Sequence, residues 1–336
     1  MSVLGARCAR EVVVLLGARG LLASLTARAL REAGFSIVAV GRAEPHPLGV
    51  DVTREEAWQP AFWSQLLGAA RGQGGSPRAI INFVTCKQGP AETLQQVNLA
   101  GVRALVAAAT AAREQGAHPL TLHLGSAAEH RPERDARGYA GAKREAHAYC
   151  LTTPGVDVVL TLGIVQRTPS PAPAFVRFTL RHLPALAAVP VKVCSAEDVA
   201  QALVALVRHP VAPGEPPPAS PSELWLEGRE ARLGELFGIA PHPVRARTWE
   251  PWMLRALATL RGEGFPWLAR LGGFARIALG RAPNHYLGPA PGTAPTPSTE
   301  LRELMSPGRW RILPFPRSAD HVPFVRAARE AAALPP

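Results

Sequence analysis

Tyr139 and Lys143 stand four positions apart in the stretch GYAGAKR (Gly138–Arg144). The chain has only three tyrosines and three lysines (Lys87, Lys143 and Lys192), although Lys and Arg together number 37. On a helix this spacing stacks the two side chains on one face, one turn apart. A phenol titrating near ~10 is a poor base at neutral pH. An ammonium beside it favours the phenolate and brings proton exchange with an alcohol oxygen within reach. The pair therefore suits general acid–base chemistry on a hydroxyl or carbonyl group. The competing reading is a tyrosine packed at a helix start and a solvated helix lysine.

A second arrangement suits a nucleotide. Val12-Val13-Val14-Leu15-Leu16 is a continuous aliphatic run, the mark of a strand buried on both faces. It ends at Gly17-Ala18-Arg19-Gly20-Leu21-Leu22-Ala23 and a helix follows. A strand, a glycine turn and a helix N-terminus bind a dinucleotide pyrophosphate: Gly17 makes the tight turn, and Gly20 lets the backbone approach the phosphate. Arg19 and Leu21 lie in the same turn. Arg42 ends the next strand, where an acid meets the ribose of NAD and an arginine meets the 2′-phosphate of NADP. NADP is thus preferred over NAD, with a solvated surface arginine as the alternative. Asp51-Val52 stands where an adenine contact is expected; otherwise Asp51 opens a helix.

Further strands are predicted at 35–40, 79–84, 120–124 and 156–162, with helices at about 54–71, 91–116 and 138–151. Alternation of this kind predicts a parallel sheet with helices on both faces. Gly17-x-x-Gly20-x-x-Ala23, Asn98 in VNLAGVRAL, Ser126 in LHLGSAA, and Tyr139 with Lys143 together resemble the short-chain dehydrogenase/reductase superfamily. The extended, epimerase/dehydratase-like branch is the nearer match. Val191–Leu203 resembles that branch's returning helix, and the likeness covers about 11–210. It implies an NAD(P)-dependent oxidoreductase or epimerase acting on an alcohol or ketone. Tyr139 would be the acid/base, Lys143 its electrostatic partner and a ribose ligand, Ser126 the substrate anchor, and Asn98 the holder of a relay water. Thr85 would touch the cofactor. The pattern also departs from the family. Ser126 and Tyr139 are 13 residues apart, as in shorter members; Thr161–Val165 lacks the usual Arg-Pro; and Phe83-Val84 narrow the cofactor floor.

The expected fold class is α/β: a Rossmann-type doubly wound parallel sheet with a smaller, Pro-rich, mainly helical C-terminal lobe. The expected division is a dinucleotide-binding domain at 1–167, a substrate lobe at 168–281 with 190–209 returning to the first domain, and a Pro-rich extended tail at 282–336. Within 249–281, tryptophans alternate with arginines over two short amphipathic helices, which suits a cleft cover, an anionic membrane surface or a partner protein. Trp310, Ile312, Leu313, Phe315 and Phe324 of the tail suggest docking onto the body. The formal net charge of +11 fits an acidic partner or a compositional bias, and no nucleic-acid motif accompanies it. Four scattered cysteines show no metal-ligand spacing, no 18-residue apolar run is present, and Val12–Leu16, too short for a signal-peptide core and ending in a glycine turn, is expected not to be one. A cytoplasmic protein is expected, with a peripheral place on the inner face of a membrane as an alternative. The alternative function is a non-catalytic nucleotide-holding subunit of a membrane-associated redox complex.

Overall fold

The computed structural model describes residues 11–42, 48–71, 75, 77–130, 138–166, 173–208, 221–239, 250–259, 266–279, 305–306 and 310–314. Strands β1 (Val12–Leu16), β2 (Ser36–Gly41), β3 (Leu48–Gly49), β4 (Pro77–Asn82), β5 (Leu120–Ser126) and β6 (Val158–Leu162) are all parallel, in the order β3-β2-β1-β4-β5-β6. The chain moves outward from β1 in one direction, then restarts beside it with β4. This is the doubly wound, Rossmann-type arrangement, and its topological switch point lies between β1 and β4. β1 is buried at every position, as its unbroken aliphatic run predicts.

Helices cover both faces. Helix α1 (Leu21–Glu32) lies on one side, with Ala23, Ala27 and Leu30 in its core layer. Helices α2 (Pro60–Arg71), α3 (Ala91–Glu114) and α4 (Tyr139–Thr152) lie on the other, burying Trp63, Leu67, Leu105, Ala108, Ala146 and Cys150. The helix expected over 54–71 is divided: a 3-10 turn at Glu55–Trp58 precedes α2, which starts at Pro60, a residue that suits the first turn of a helix.

Beyond β6, β7 (Ile164–Gln166), α5 (Ala174–His182), α6 (Pro184–Ala187), β8 (Pro190–Ser195) and α7 (Ala196–Arg208) lead to β9 (Ser222–Arg232). Helix α7 returns to the large sheet, packing Val199, Leu203 and Val207 into the layer of α1. β8 pairs instead with β7 and the end of β9 in a second, smaller sheet. β9 is eleven residues long, because its two halves serve different sheets. Ser222–Leu226 pairs with β6, and Arg229–Arg232 pairs with β8. At the crossing, a Cβ on Gly228 would lie 2.1 Å from the Val193 carbonyl oxygen, a space only hydrogen can occupy.

Helices α8 (Glu250–Thr259) and α9 (Pro266–Ala278) close a third core with Leu254, Leu271, Phe274 and Trp225. The smaller lobe therefore combines helices with a sheet. From the tail, β11 (Trp310–Pro314) pairs antiparallel with β9 and β10 (Met305–Ser306) pairs antiparallel with β11, which extends the large sheet and buries Trp310 and Ile312. Much of the expected tail, including 282–304, Phe315 and Phe324, lies outside the described residues.

Replacing Gly228 with Ala is expected to lower stability by about 1–3 kcal/mol, the usual cost of overpacking. Gly49→Ala, where no atom lies within 4 Å of the added Cβ, should leave it unchanged. Urea unfolding midpoints of the two variants check this.

Candidate active site

Parallel strands present their carboxyl ends on one edge of the sheet, and the chemistry-bearing residues gather there. Gly17 and Ala18 donate backbone hydrogen bonds to the Val40 carbonyl at 2.9 and 3.0 Å, which folds the glycine turn over the end of β2. Gly17 has a φ of 76°, and a Cβ on it would meet the Val84 nitrogen at 2.9 Å. The turn is thus seated on the backbone of residues 83–84 at the switch point. Gly20 is different. Among the described residues, a Cβ there would find only the Gly17 carbonyl oxygen, 3.6 Å away, so none of them fills the space in front of it. Gly20 is the N-cap of α1 and makes no side-chain cap, which leaves the first-turn amides available to an anion. Exposed Leu21 flanks this opening. The expectation that Phe83 and Val84 crowd the cofactor floor is corrected in part. Both side chains are buried, Phe83 in the α1 layer and Val84 in the α3 layer, and only their backbone underlies the turn.

Arg19 and Arg42 are exposed and leave the same corner, because the turn is bonded to β2. Asp51 accepts bonds from the Thr53 amide (3.0 Å) and hydroxyl (2.7 Å) and lies 4.0 Å from Arg42 Nε. Partial burial opposes its charge, but the Thr53 bonds and the Arg42 and Arg54 charges outweigh that and hold its carboxyl below the usual range. It is an Asx turn that braces the following segment. Val52 is buried, and its carbonyl accepts from Trp58 Nε1 at 2.9 Å. Thr85 donates from Oγ1 to Asn98 Oδ1 (3.1 Å), while Asn98 Nδ2 donates to the carbonyls of Cys86 (3.0 Å) and Leu94 (2.6 Å). Asn98 is fully buried, so its amide braces the loop after β4 against α3.

Ser126 ends β5, and its Oγ accepts from the Ala128 amide at 3.3 Å, which leaves its own proton free to donate. Tyr139 is half-buried at the first residue of α4, following Gly138. Lys143 sits one turn further and is almost completely buried, with Nζ donating to the Leu124 carbonyl at 2.9 Å. Among the described residues, no hydrogen bond joins the Tyr139 hydroxyl to Lys143 or Ser126. The helix places tyrosine and lysine on one face, one turn apart. Burial pulls the Lys143 amine down to about 8, against the pull of the Glu129 carboxylate.

Beneath these residues lies a charged cluster that sequence reasoning missed. Glu129, in the 3-10 turn Ala127–His130, accepts from His147 Nδ1 at 2.8 Å, and His147 Nε2 donates to Glu223 of β9 at 3.0 Å. Thr161 Oγ1 donates to the same Glu129 oxygen at 3.3 Å. Burial alone would neutralise both partners, yet each charge rescues the other: the Glu129 carboxyl is held at about 2 and the His147 imidazolium at about 10. On β5, His123 accepts from Asn82 Nδ2 at 3.0 Å, because Asn82 Oδ1 is taken by the Val84 amide. Burial, with the Lys143 charge, keeps His123 neutral. One signal was available in the sequence: Tyr139, Lys143 and His147 recur at steps of four, a polar stripe on an otherwise alanine-rich helix.

No family model matches the chain, and no curated protein matches it. Solved structures with a similar course of chain include a nucleoside-diphosphate-sugar epimerase from Staphylococcus aureus (14% identity, 88% of this chain and 95% of that one, TM-score 0.49). Another is dTDP-4-dehydrorhamnose reductase from Bacillus anthracis in complex with NADP (13%, 80% and 99%, 0.49). A third is UDP-glucose 4-epimerase from Brucella ovis in complex with NAD (16%, 67% and 80%, 0.45). Among the described residues, no helix is long and apolar enough to cross a membrane.

The buried pair sets a pH dependence of stability. Glu129, depressed from 4.5, adds stability that is present above that value and lost as pH falls towards 2. His147, raised from 6.5, adds stability that is full below 6.5 and lost as pH rises through 10. Lys143 has the opposite sign, since its charged form is penalised in the fold and the penalty is relieved between 8 and 10.5. Between about 7 and 8 His147 therefore dominates, because the opposing share of buried, neutral His123 fades above 6.5, and the His147 slope is at most about 1.4 kcal/mol per pH unit. Stability is expected to fall with pH in that window, and Glu129→Gln to flatten the fall. Denaturation midpoints across the window check it.

Proposed function

We propose that the chain is an NAD(P)-dependent oxidoreductase or epimerase acting on an alcohol or ketone group. One observation carries the reading. At the carboxyl edge of a doubly wound sheet, an open, uncapped glycine turn stands on the same rim as a buried lysine, with a serine and a tyrosine beside it on β5 and α4. Ligands of open α/β sheets bind outside this edge, at the switch point.

The residues present fit a nicotinamide dinucleotide. The first-turn amides of α1 and the open face of Gly20 would take the pyrophosphate, with Gly17 shaping the turn and Leu21 covering it. Arg19 and Arg42 would meet a 2′-phosphate, which favours NADP. Asp51, Val52 and Thr85 would line the remaining path, and Lys143 would hold the ribose. When bound, the cofactor supplies or accepts the hydride. Tyr139 would give a proton to the carbonyl oxygen, or take one from the alcohol. Ser126 would donate its free hydroxyl proton to the same oxygen and orient it. The Lys143 ammonium would favour the tyrosinate form. Asn98 would keep the Thr85 loop in register with α3, alongside the relay role that the family resemblance implies.

A second reading, a non-catalytic nucleotide-holding subunit docked on a membrane or partner, is favoured by Phe175, Phe178 and Trp252, large apolar side chains left exposed in the smaller lobe. It predicts recovery of the chain in a membrane complex whose bound nucleotide no alcohol or ketone turns over.

Titrating the purified chain with NADPH and NADH, followed by tryptophan fluorescence, tests the cofactor assignment. Arg42→Ala is expected to weaken NADPH about tenfold, the loss of about 1.4 kcal/mol, and to leave NADH unchanged. Tyr139→Phe should lower NADPH oxidation over a ketone panel by about 10²–10⁴-fold with NADPH affinity retained. Failure of either nucleotide to bind at millimolar concentration overturns the proposal.

A further inference from the structure

Taking a carboxylate out of water costs several kcal/mol, a cost that an apolar side chain of the same volume avoids. Glu129 bears that cost beside the proposed active site, and its environment suggests what it offsets. Its Oε1 accepts from His147 and Thr161, lies 3.5 Å from His130 Nε2, and rests against Gly125, where a Cβ would stand 3.0 Å from it. Lys143 Nζ lies on the carbonyl of Leu124, the residue just before. Both side chains thus close on the same two residues of β5. Glu129 Oε2 is buried without a hydrogen-bond partner among the described residues, so part of this carboxylate's charge has no local donor.

We propose that Glu129 is a positioning residue for Lys143: clamped by His147 against Gly125, its carboxylate is the counter-charge that holds the neighbouring buried amine in the ammonium form. The hydrogen bond of that amine goes to a neutral carbonyl, which favours the ammonium but supplies no counter-charge. Glu129 is the one carboxylate acting on it among the described residues. His147, anchored through its other nitrogen to Glu223, keeps Glu129 ionised and aimed.

The remaining groups around the pair come from every packed element. Arg144 of α4 donates from Nε to the Glu129 carbonyl, and Cys150 of α4 keeps its proton because of burial. His123 of β5 is neutral, His130 closes the 3-10 turn, and Glu223 projects from β9. The inference rests on the proposed function only for its purpose, since the charge state itself can be read without substrate or cofactor.

Three lysines make that measurement direct. The full chain, free of nucleotide and labelled at lysine Cε and Nζ, is titrated by NMR, with Lys143→Arg identifying the signal. The wild-type midpoint is expected at about 8. Glu129→Gln should lower it by about one to two pH units, so that the ammonium is lost at neutral pH, whereas Glu230→Gln should not move it. A Glu129→Gln midpoint within about 0.3 units of wild type overturns the proposal. Should that variant fail to fold, the wild type decides through labelled glutamate carboxyls. A Glu129 signal that stays ionised down to about pH 4 upholds the proposal, and one that titrates above about pH 5 overturns it. A chain that binds no nucleotide would leave these results standing and sink only the functional reading.

Discussion

A carboxylate enclosed by protein must have a cation, and the bond between Glu129 and His147 decides how the elements around the site meet. Glu129 comes from the turn after β5 and His147 from α4, while Thr161 of β6 and Glu223 of β9 complete the set. Four elements far apart in the chain are therefore joined by one charged chain of hydrogen bonds. Such a cluster is unforgiving of distance and angle in a way that aliphatic packing is not. It fixes where α4 begins relative to the end of β5, and hence where Tyr139 and Lys143 stand relative to Ser126.

The same edge of the sheet shows two opposite uses of glycine. At Gly17 the absent side chain lets two backbones approach, so the turn is seated on the loop after β4. At Gly20 it leaves a space bounded, among the described residues, by only the Gly17 carbonyl oxygen. One glycine closes the protein against itself and the other opens it, three residues apart. With Val40 accepting from both Gly17 and Ala18, the turn cannot shift without loosening β2. Arg42 therefore stays at the corner where the helix N-terminus begins.

The outer part of the molecule is organised by β9. Its first half completes the large parallel sheet and its second half makes a smaller one, with the change of partner at Gly228. β11 lies along the exposed edge of its middle and brings Trp310 and Ile312 into the core. Glu227 is held between Lys192 of β8 and Arg311 of β11, so the tail strand and the smaller sheet share one carboxylate. The tail is thus an edge strand here. Covering an open sheet edge protects it from unwanted pairing.

The strands β1, β2, β4, β5 and β6, the helices between them, and the glycine turn could be read from the chain, because each rests on short-range rules. These are unbroken aliphatic runs for buried parallel strands, periodic apolar residues for helices, and glycine where a backbone turns sharply. Tyr139 with Lys143 was legible for the same reason, since a spacing of four is a local fact about a helix. The Glu129–His147–Glu223 chain was not, because its members are up to 94 positions apart and a buried charge is recognisable only by what surrounds it. Nor did local pattern reveal that Asn98 spends its amide on a loop, that Phe83 and Val84 turn into the core, or that β9 serves two sheets. The residue types proposed for the chemistry were set by sequence. Their burial, their charge states and their partners were decided by tertiary structure, because desolvation and hydrogen bonding depend on neighbours that only the folded chain brings together.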